Sequence, residues 1–220
     1  MPTQAMIFEH FMMLGLARRR QGKHLAATDE FKCAMSVAVT DEQRARATQA
    51  MGIDFRLAGD YQEAEFSFDK ALLFSRKIFK LKGIILRDFA MLHLDRNEFS
   101  LAEAKLAQSI KILDGLDEVE KAVSEGFLGD LYREQGKLAL ALEFLEHSYR
   151  HIKGQNDVYE MNHLIRWLKA LKPRKRFKKL PRTLYLAAKT LHYERFIEAA
   201  LITLMGPRLS DKVKNIRRGH

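Results

Sequence analysis

The sequence predicts an all-α protein built from repeated helix pairs, and two observations lead to this fold class. Ala, Leu, Lys, Glu and Arg recur along the 220 residues, with only four prolines and twelve glycines, a composition that favours helices. The chain also repeats itself at a nearly constant period, which is typical of helical solenoids. We therefore expect about four helix pairs, then a capping helix and a C-terminal helical element.

The repeat is clearest in residues 22–34 (GKHLAATDEFKCA) and 59–71 (GDYQEAEFSFDKA). Each segment has Gly first, Ala five residues later, an aromatic residue nine later and Ala twelve later. Weaker copies begin at Asn97 and Gly136, so successive starts (22, 59, 97, 136) are 37, 38 and 39 residues apart. A small residue precedes each start by seven positions: Gly15, Gly52, Ala90 and Gly129.

Each unit is predicted to be two antiparallel helices joined by a turn. Small residues on the first helix allow its backbone to approach the second helix, and Gly or Asn at the turn accepts the left-handed conformation that ends a helix. Larger residues are expected to fill the space between units: Phe31, Phe68, Leu106 and Leu145. Capping-box spacings at Thr40, Ser100 and Asp117 mark helix starts. Helices are expected near 5–21, 23–39, 41–57, 60–80, 83–96, 100–114, 117–135, 137–153 and 157–171.

Residues 8–150 resemble the tetratricopeptide repeat (TPR) family, whose units combine a small residue in the first helix with the Gly, Ala, aromatic, Ala series. The period exceeds the family's 34 residues, so the resemblance is to its extended-repeat type. It implies a right-handed solenoid whose ligands lie along a concave face lined by the first helices. By helical phase, the residues expected on that face are Met12, Leu16, Arg19, Arg46, Gln49, Ile53, Arg56, Arg87, Met91, Asp130 and Arg133.

This mixed apolar and basic lining would suit an amphipathic helix or an extended peptide that carries carboxylates. The alternative is that the arginines are solvated and the methionines pack locally. The Lys/Asn/Arg clamp with which some family members hold a terminal carboxylate is not matched here, so binding of chaperone tails is not predicted.

Charge is distributed unevenly along the chain. Residues 1–160 hold 22 basic and 25 acidic residues, whereas residues 161–220 hold 16 and 3. Seven of those cations crowd into residues 172–182, which we interpret as an exposed basic linker. We expect a repeat domain at 1–172, this linker at 173–182, and a C-terminal helix with a basic tail at 183–220. The residues predicted to contact an anion or nucleic acid are Lys172, Arg174, Lys175, Arg176, Phe177, Lys178, Lys179 and Arg182.

Three interpretations of this C-terminal region stay open. The basic stretch with Phe177 would suit phosphate contacts and base stacking on a single-stranded nucleic acid. Alternatively, the following amphipathic helix docks on the repeats or dimerises while the linker is only solvated. Binding to an anionic membrane surface is the third and least favoured interpretation.

No catalytic motif or cofactor site is recognisable, so we expect no enzyme activity, no cofactor and no metal. Glu143, His147 and His151 share a helix face but are interpreted as solvated, His93 and Trp167 as packing residues, and Cys33 as a small buried hydrophobe. With one cysteine, no signal peptide and no membrane span, a cytoplasmic protein is expected. The predicted function is a non-catalytic scaffold or adaptor whose groove binds a partner protein and whose basic C-terminus contacts an anionic partner. The alternative is a regulatory protein that binds RNA or DNA.

Overall fold

A computed structural model describes residues 2–155 and Arg166. They form eight helices and no strand: α1 (Gln4–Arg20), α2 (His24–Val37), α3 (Asp41–Ala58), α4 (Tyr61–Phe74), α5 (Phe79–Asp95), α6 (Phe99–Leu113), α7 (Glu118–Glu134) and α8 (Leu138–Ile152). The chain divides into two compact units, Met1–Phe127 and Leu128–His220, with the boundary inside α7. The predicted all-α class and helix pairing are confirmed.

The turn inside each helix pair has the predicted left-handed conformation. The φ angles are 72° at Gly22, 84° at Gly59, 59° at Asn97 and 75° at Gly136. Asn97 is the only non-glycine residue with positive φ in the described part of the chain. Asparagine tolerates this region better than most residues because its short polar side chain can form local hydrogen bonds, which explains why it replaces Gly at the third turn.

Small residues on the first helices lie directly beneath the large residues of the second helices. The Gly15 backbone faces the ring of Phe31, and a Cβ added at Gly52 would lie 3.0 Å from the Phe68 ring. Both rings are fully buried. Phe68 also reaches the next pair, where it stacks on Phe89 at a centroid distance of 5.3 Å, as expected for a residue that fills the space between units.

The second compact unit, Leu128–His220, has the same arrangement between α7 and α8. A Cβ added at Gly129 of α7 would lie 2.6 Å from Cγ of Leu145 on α8, and Leu145 is fully buried. The rings of Tyr132 and Phe144 pack with centroids 5.4 Å apart. The helix predicted at 157–171 lies outside the described residues except for Arg166, which is helical.

The predicted boundary between α4 and α5 is wrong. The α4 helix ends at Phe74 and not near residue 80, and α5 begins at Phe79 and not at Gly83. Gly83 is a packing residue within α5, because a Cβ there would lie 2.7 Å from Cγ of Leu113. Its carbonyl accepts a hydrogen bond of 2.7 Å from the Ser109 hydroxyl. Gly83 therefore lets α6 approach α5.

Two of the three predicted helix caps are present. Thr40 and Gln43 form a complete capping box at α3, and the Asp117 carboxylate accepts the backbone N–H of Glu120 at 2.9 Å. Ser100 is not a cap, because α6 already begins at Phe99 and its N-cap residue, Glu98, makes no side-chain capping bond.

Candidate partner-binding face of the first helices

The first helices of successive pairs are joined by polar side chains one repeat apart. On α1, Arg19 donates to Asp54 Oδ2 of α3 through Nε at 3.0 Å and Nη2 at 2.8 Å. Its Nη2 also donates to the Ala50 carbonyl at 2.9 Å. His24 Nδ1 lies 2.9 Å from the other oxygen of Asp54. The Asp54 side chain is 0% exposed, so Arg19 and His24 provide the polar partners that a buried carboxylate needs.

Further contacts link α3 to both of its neighbours. Arg46 forms a two-pronged pair with Glu9 of α1, with N to O distances of 2.7 and 3.1 Å. Arg56 donates to Asp95 of α5 at 2.6 Å. The amide of Gln49 donates to Asp88, also on α5, at 2.7 Å.

The link from α5 to α7 is buried. Arg87 Nη1 donates to Glu120 Oε2 at 2.5 Å, and both side chains are largely removed from solvent. The Arg87 guanidinium also lies 5.8 Å from the centre of the Phe127 ring. We call the contacts that join Arg19 to Asp54, Arg46 to Glu9, Gln49 to Asp88, Arg56 to Asp95 and Arg87 to Glu120 the inter-repeat pairs.

In the second unit, Asp130 of α7 is held by two arginines. Arg166 Nε lies 2.8 Å from Asp130 Oδ2, and Arg133 Nε lies 3.7 Å from Oδ1. Arg133 also pairs with Glu134 at 2.6 Å. Asp130 is largely buried, so its partners neutralise a carboxylate in the interior of this unit.

Several of the predicted partner-binding residues form contacts within the chain. Arg19, Arg56 and Arg87 were expected to line the concave face, and each contacts an acidic residue of the next first helix. Gln49 does the same. These arginines are therefore not simply solvated, because each already has an acidic partner within the chain. Their contact with a partner protein stays a prediction.

Met12 does not lie on the predicted face, in agreement with the alternative in which the methionines pack locally. It is buried in a core cluster with Phe8, Ala27 and Phe31, and so it packs between helices and does not line a surface. Leu16 is exposed, while Ile53 and Met91 are partly exposed. These three residues are equivalent, because each directly follows the small packing residue of its first helix. They form what we call the apolar stripe.

The sequence contained a signal for the inter-repeat pairs that helical phase alone missed. The partners are 35, 37, 39, 39 and 33 residues apart, close to the repeat period. Residues one period apart on first helices are neighbours in a solenoid. A search for opposite charges at that separation would have found four of the five contacts.

Of the predictions for Cys33 and His93, one is wrong and one is confirmed. Cys33 is exposed, so the prediction of a buried cysteine is wrong; it lies on the solvent side of α2, next to the buried Ala34. His93 is buried, stacks on Phe89 at 4.9 Å and contacts Glu98 at 2.7 Å, which confirms its packing role.

No group of three metal-ligating side chains is close enough to hold an ion among the residues that the structure describes. The rings of His147 and His151 lie 4.6 Å apart. An open cavity of about 330 Å³ lies at the start of α2, lined by Gly22, Lys23, His24, Leu25, Ala26 and Ala58.

The predicted basic residues at positions 172–182 and the predicted capping residue Trp167 lie outside the described residues. Within the described part, no helix is both long and apolar enough to cross a membrane.

Stacked helix pairs, left-handed turns and paired first helices define a TPR-like helical-repeat fold. No model of a known protein family matches the sequence, and no curated protein sequence matches it. Solved structures establish the fold. A Rap protein complexed with Competence and Sporulation Factor has a TM-score of 0.79 at 10% identity, with 100% of this chain covered. This chain spans 66% of that protein.

Two further solved structures agree. PilF of Pseudomonas aeruginosa has a TM-score of 0.60 at 16% identity and covers 99% of both chains. The TPR-like repeats of a kinesin light chain from Podosopora anserina have a TM-score of 0.57 at 14% identity, covering 89% of this chain and 94% of theirs. The resemblance noted in the sequence is thereby confirmed at the level of the fold.

Proposed function

We propose that this chain is a non-catalytic protein-interaction scaffold, and that a segment of a partner protein binds along the face formed by its first helices. The observation that carries the proposal is the apolar stripe of Leu16, Ile53 and Met91. Equivalent positions on three successive first helices, α1, α3 and α5, present apolar side chains that retain solvent exposure. An extended or helical segment with regularly spaced apolar residues would match such a series.

The inter-repeat pairs limit which charged groups of a partner could bind beside the apolar stripe. Because most of the arginines beside the stripe already contact carboxylates, an acidic partner would have to compete with these contacts. Arg46 is the most exposed arginine of the inter-repeat pairs and is the one that we assign a direct contact. A Rap protein of the same fold was solved with Competence and Sporulation Factor bound, which supports a binding role for such a scaffold.

Site-specific photo-crosslinking tests this proposal without disturbing the inter-repeat pairs. Charge reversal at Arg87 would be a poor test because it removes the partner of a buried carboxylate. A photoreactive phenylalanine analogue is instead placed at Leu16 or Met91 and, as a control, at the exposed Gln108 of α6. We expect the same protein to crosslink at both stripe positions and not at Gln108. Equal capture at Gln108, or no product at either stripe position, would contradict the proposal.

A second candidate function is nucleic-acid binding, and the observation that favours it is the excess of 16 basic over 3 acidic residues in 161–220. Fluorescence anisotropy with a single-stranded RNA and a single-stranded DNA would test it at two salt concentrations. The variant replaces Arg174, Lys175, Arg176, Lys178 and Lys179 with Gln. Its control replaces five exposed cations elsewhere with Gln: Arg20, Lys23, Lys32, Lys111 and Lys153.

We expect salt-sensitive binding that the first set of substitutions removes and the control set retains, since phosphate contacts release counterions. Equal affinity of the two variants would show that the segment at 172–182 is not the binding element, and the charge would then have to serve a protein or membrane contact.

A further inference from the structure

Among the second helices of the pairs, α4 differs from α2, α6 and α8 on its solvent-exposed face. Phe66 and Leu73 of α4 are 56% and 55% exposed, and Phe79, at the start of α5, is 60% exposed. Phe66 and Leu73 are seven residues apart, so they lie on one face of the helix about 10.5 Å apart.

The repeats themselves supply the comparison. Counted from the turn residue that begins each second helix, the equivalents of Phe66 are Asp29, Ala104 and Glu143. The equivalents of Leu73 are Ser36, Lys111 and Arg150. Counted from the helix N-cap, the equivalents of Phe79 are Asp41 and Glu118. Large apolar residues therefore occur on α4 and at the start of α5 at three positions where the equivalent residues named here are small, polar or charged. Stacking of the repeats does not require them.

Cations surround these apolar residues. The Lys70 ammonium lies 4.1 Å above the centre of the Phe66 ring, and Arg76 and Lys77 are exposed in the turn that follows α4. Residues 70–82 contain five basic residues and no acidic one. We call Phe66, Lys70, Leu73, Arg76, Lys77 and Phe79 the α4 patch.

We propose that the α4 patch binds an acidic amphipathic helix of a partner protein, at a surface separate from the first-helix face. Apolar residues spaced i, i+7 on such a helix would meet Phe66 and Leu73, and its carboxylates would meet Lys70, Arg76 and Lys77. Exposed apolar residues that fold stability does not need are characteristic of interaction sites.

Other occupants fit the patch less well. A second copy of the chain related by two-fold symmetry would bring like charges together, and so would the basic segment at 172–182. Single-stranded nucleic acid stacks on open aromatic faces, whereas Leu73 has no ring and Lys70 already covers one face of Phe66. Asp69 is exposed on the same helix and would be repelled by an anionic bilayer. A protein helix can place an uncharged or basic residue beside it.

The test uses the full chain and a synthetic helical peptide with leucines at i, i+4 and i+7 and glutamates at most other positions. A peptide of the same composition with the leucines distributed around the helix is the control ligand. Two further probes are vesicles containing anionic lipid and a single-stranded RNA, so that each alternative occupant has its own readout.

The variant Phe66→Ala/Leu73→Ser introduces residues that equivalent positions already contain, Ala104 and Ser36, without altering charge. Its matched control, Leu25→Ala/Leu101→Ala, truncates exposed leucines of α2 and α6. Far-UV circular dichroism and thermal unfolding verify that both variants fold as the parent does.

We expect the amphipathic peptide to bind at least about tenfold more weakly to the α4 variant than to the parent, since buried apolar anchors contribute most of such binding energy. The control variant should retain the parental affinity. Equal affinity of the α4 variant and the parent, equal binding of the rearranged peptide, or a loss confined to vesicles or RNA would each overturn the proposal. The crosslinking test at Leu16 and Met91 is independent of all these outcomes.

Discussion

Replacing Arg19 with Met should destabilise the chain by about 3 kcal/mol, whereas the same replacement at Arg46 should cost about 1 kcal/mol or less. The two arginines are closely matched. Each pairs with a carboxylate of the neighbouring first helix, and each guanidinium lies over a phenylalanine ring, at 5.3 Å from Phe31 and 5.5 Å from Phe8. They differ mainly in the burial of the carboxylate, and Arg19 also donates to the Ala50 carbonyl.

The expected magnitudes follow from that difference. Asp54 is 0% exposed, so loss of Arg19 leaves a carboxylate in the interior, and removing one partner of a buried pair typically costs about 3–5 kcal/mol. His24 stays 2.9 Å from Asp54, which places the cost near the lower limit. Glu9 is 49% exposed and regains water when Arg46 is lost, so this exposed pair contributes at most about 1 kcal/mol.

Urea unfolding followed by circular dichroism at 222 nm gives the free energy of unfolding of each variant. A second substitution examines the cause: in the Arg19→Met background, Asp54→Asn should recover part of the lost stability, because a neutral amide is less costly to bury than a charged carboxylate. Equal free energies of unfolding for the Arg19 and Arg46 variants, or no recovery with Asp54→Asn, would refute the reasoning.

Three further predictions concern the fold. Asn97→Gly should leave stability unchanged or raise it by up to about 1 kcal/mol, and Asn97→Val should lower it in thermal unfolding, because φ is 59° at this turn. Gly15→Ala should destabilise by about 1–2 kcal/mol despite the better helix propensity of Ala, since its Cβ would lie within 3 Å of three buried ring carbons of Phe31; equal or greater stability in urea would contradict the tight packing. For Asp117, burial raises the pKa, but hydrogen bonds from the backbone of Glu120 and from Lys80 outweigh it, so the pKa lies below 3.8 in the folded chain. Its contribution to stability is therefore present above pH 3.8 and lost below it, and the stability difference between the parent and Asp117→Asn should shrink in that acidic range; a difference that does not change with pH would contradict this.

The repeat pattern made most of the architecture predictable. Gly, Asn and the small residues seven positions earlier are required by backbone geometry, so their spacing located the turns and the closest helix contacts. The boundary between α4 and α5 failed because it lacks such a residue: the turn at Ser75 is closed by backbone hydrogen bonds, to Ala71 at 3.0 Å and from Ile78 at 2.9 Å. Gly83, the nearest glycine, serves packing instead.

The partner-binding face was less predictable because helical phase gives only the direction of a side chain. Whether Arg56 points to solvent or pairs with Asp95 depends on how far the next unit has rotated, and that rotation is set by packing between units. Met12 shows the same limit, since it is buried in a cluster that includes residues of α2 and α3. Helical phase assigns a direction to one residue at a time. Predicting these contacts requires a comparison of pairs of residues one repeat period apart.

The residues of the two candidate binding surfaces differ in whether they also contribute to the stability of the fold. Ile53 of the apolar stripe also packs against the core around Phe55 and Phe68, so a substitution that alters binding there also alters stacking. Phe66 and Leu73 project from one helix at positions where other units have polar or small residues, so they are free to change without loss of the fold. A repeat protein thus gains new specificity most readily where one unit departs from the rest. Substitutions in the α4 patch should accordingly alter binding alone, whereas those at Ile53 should alter binding and stability together.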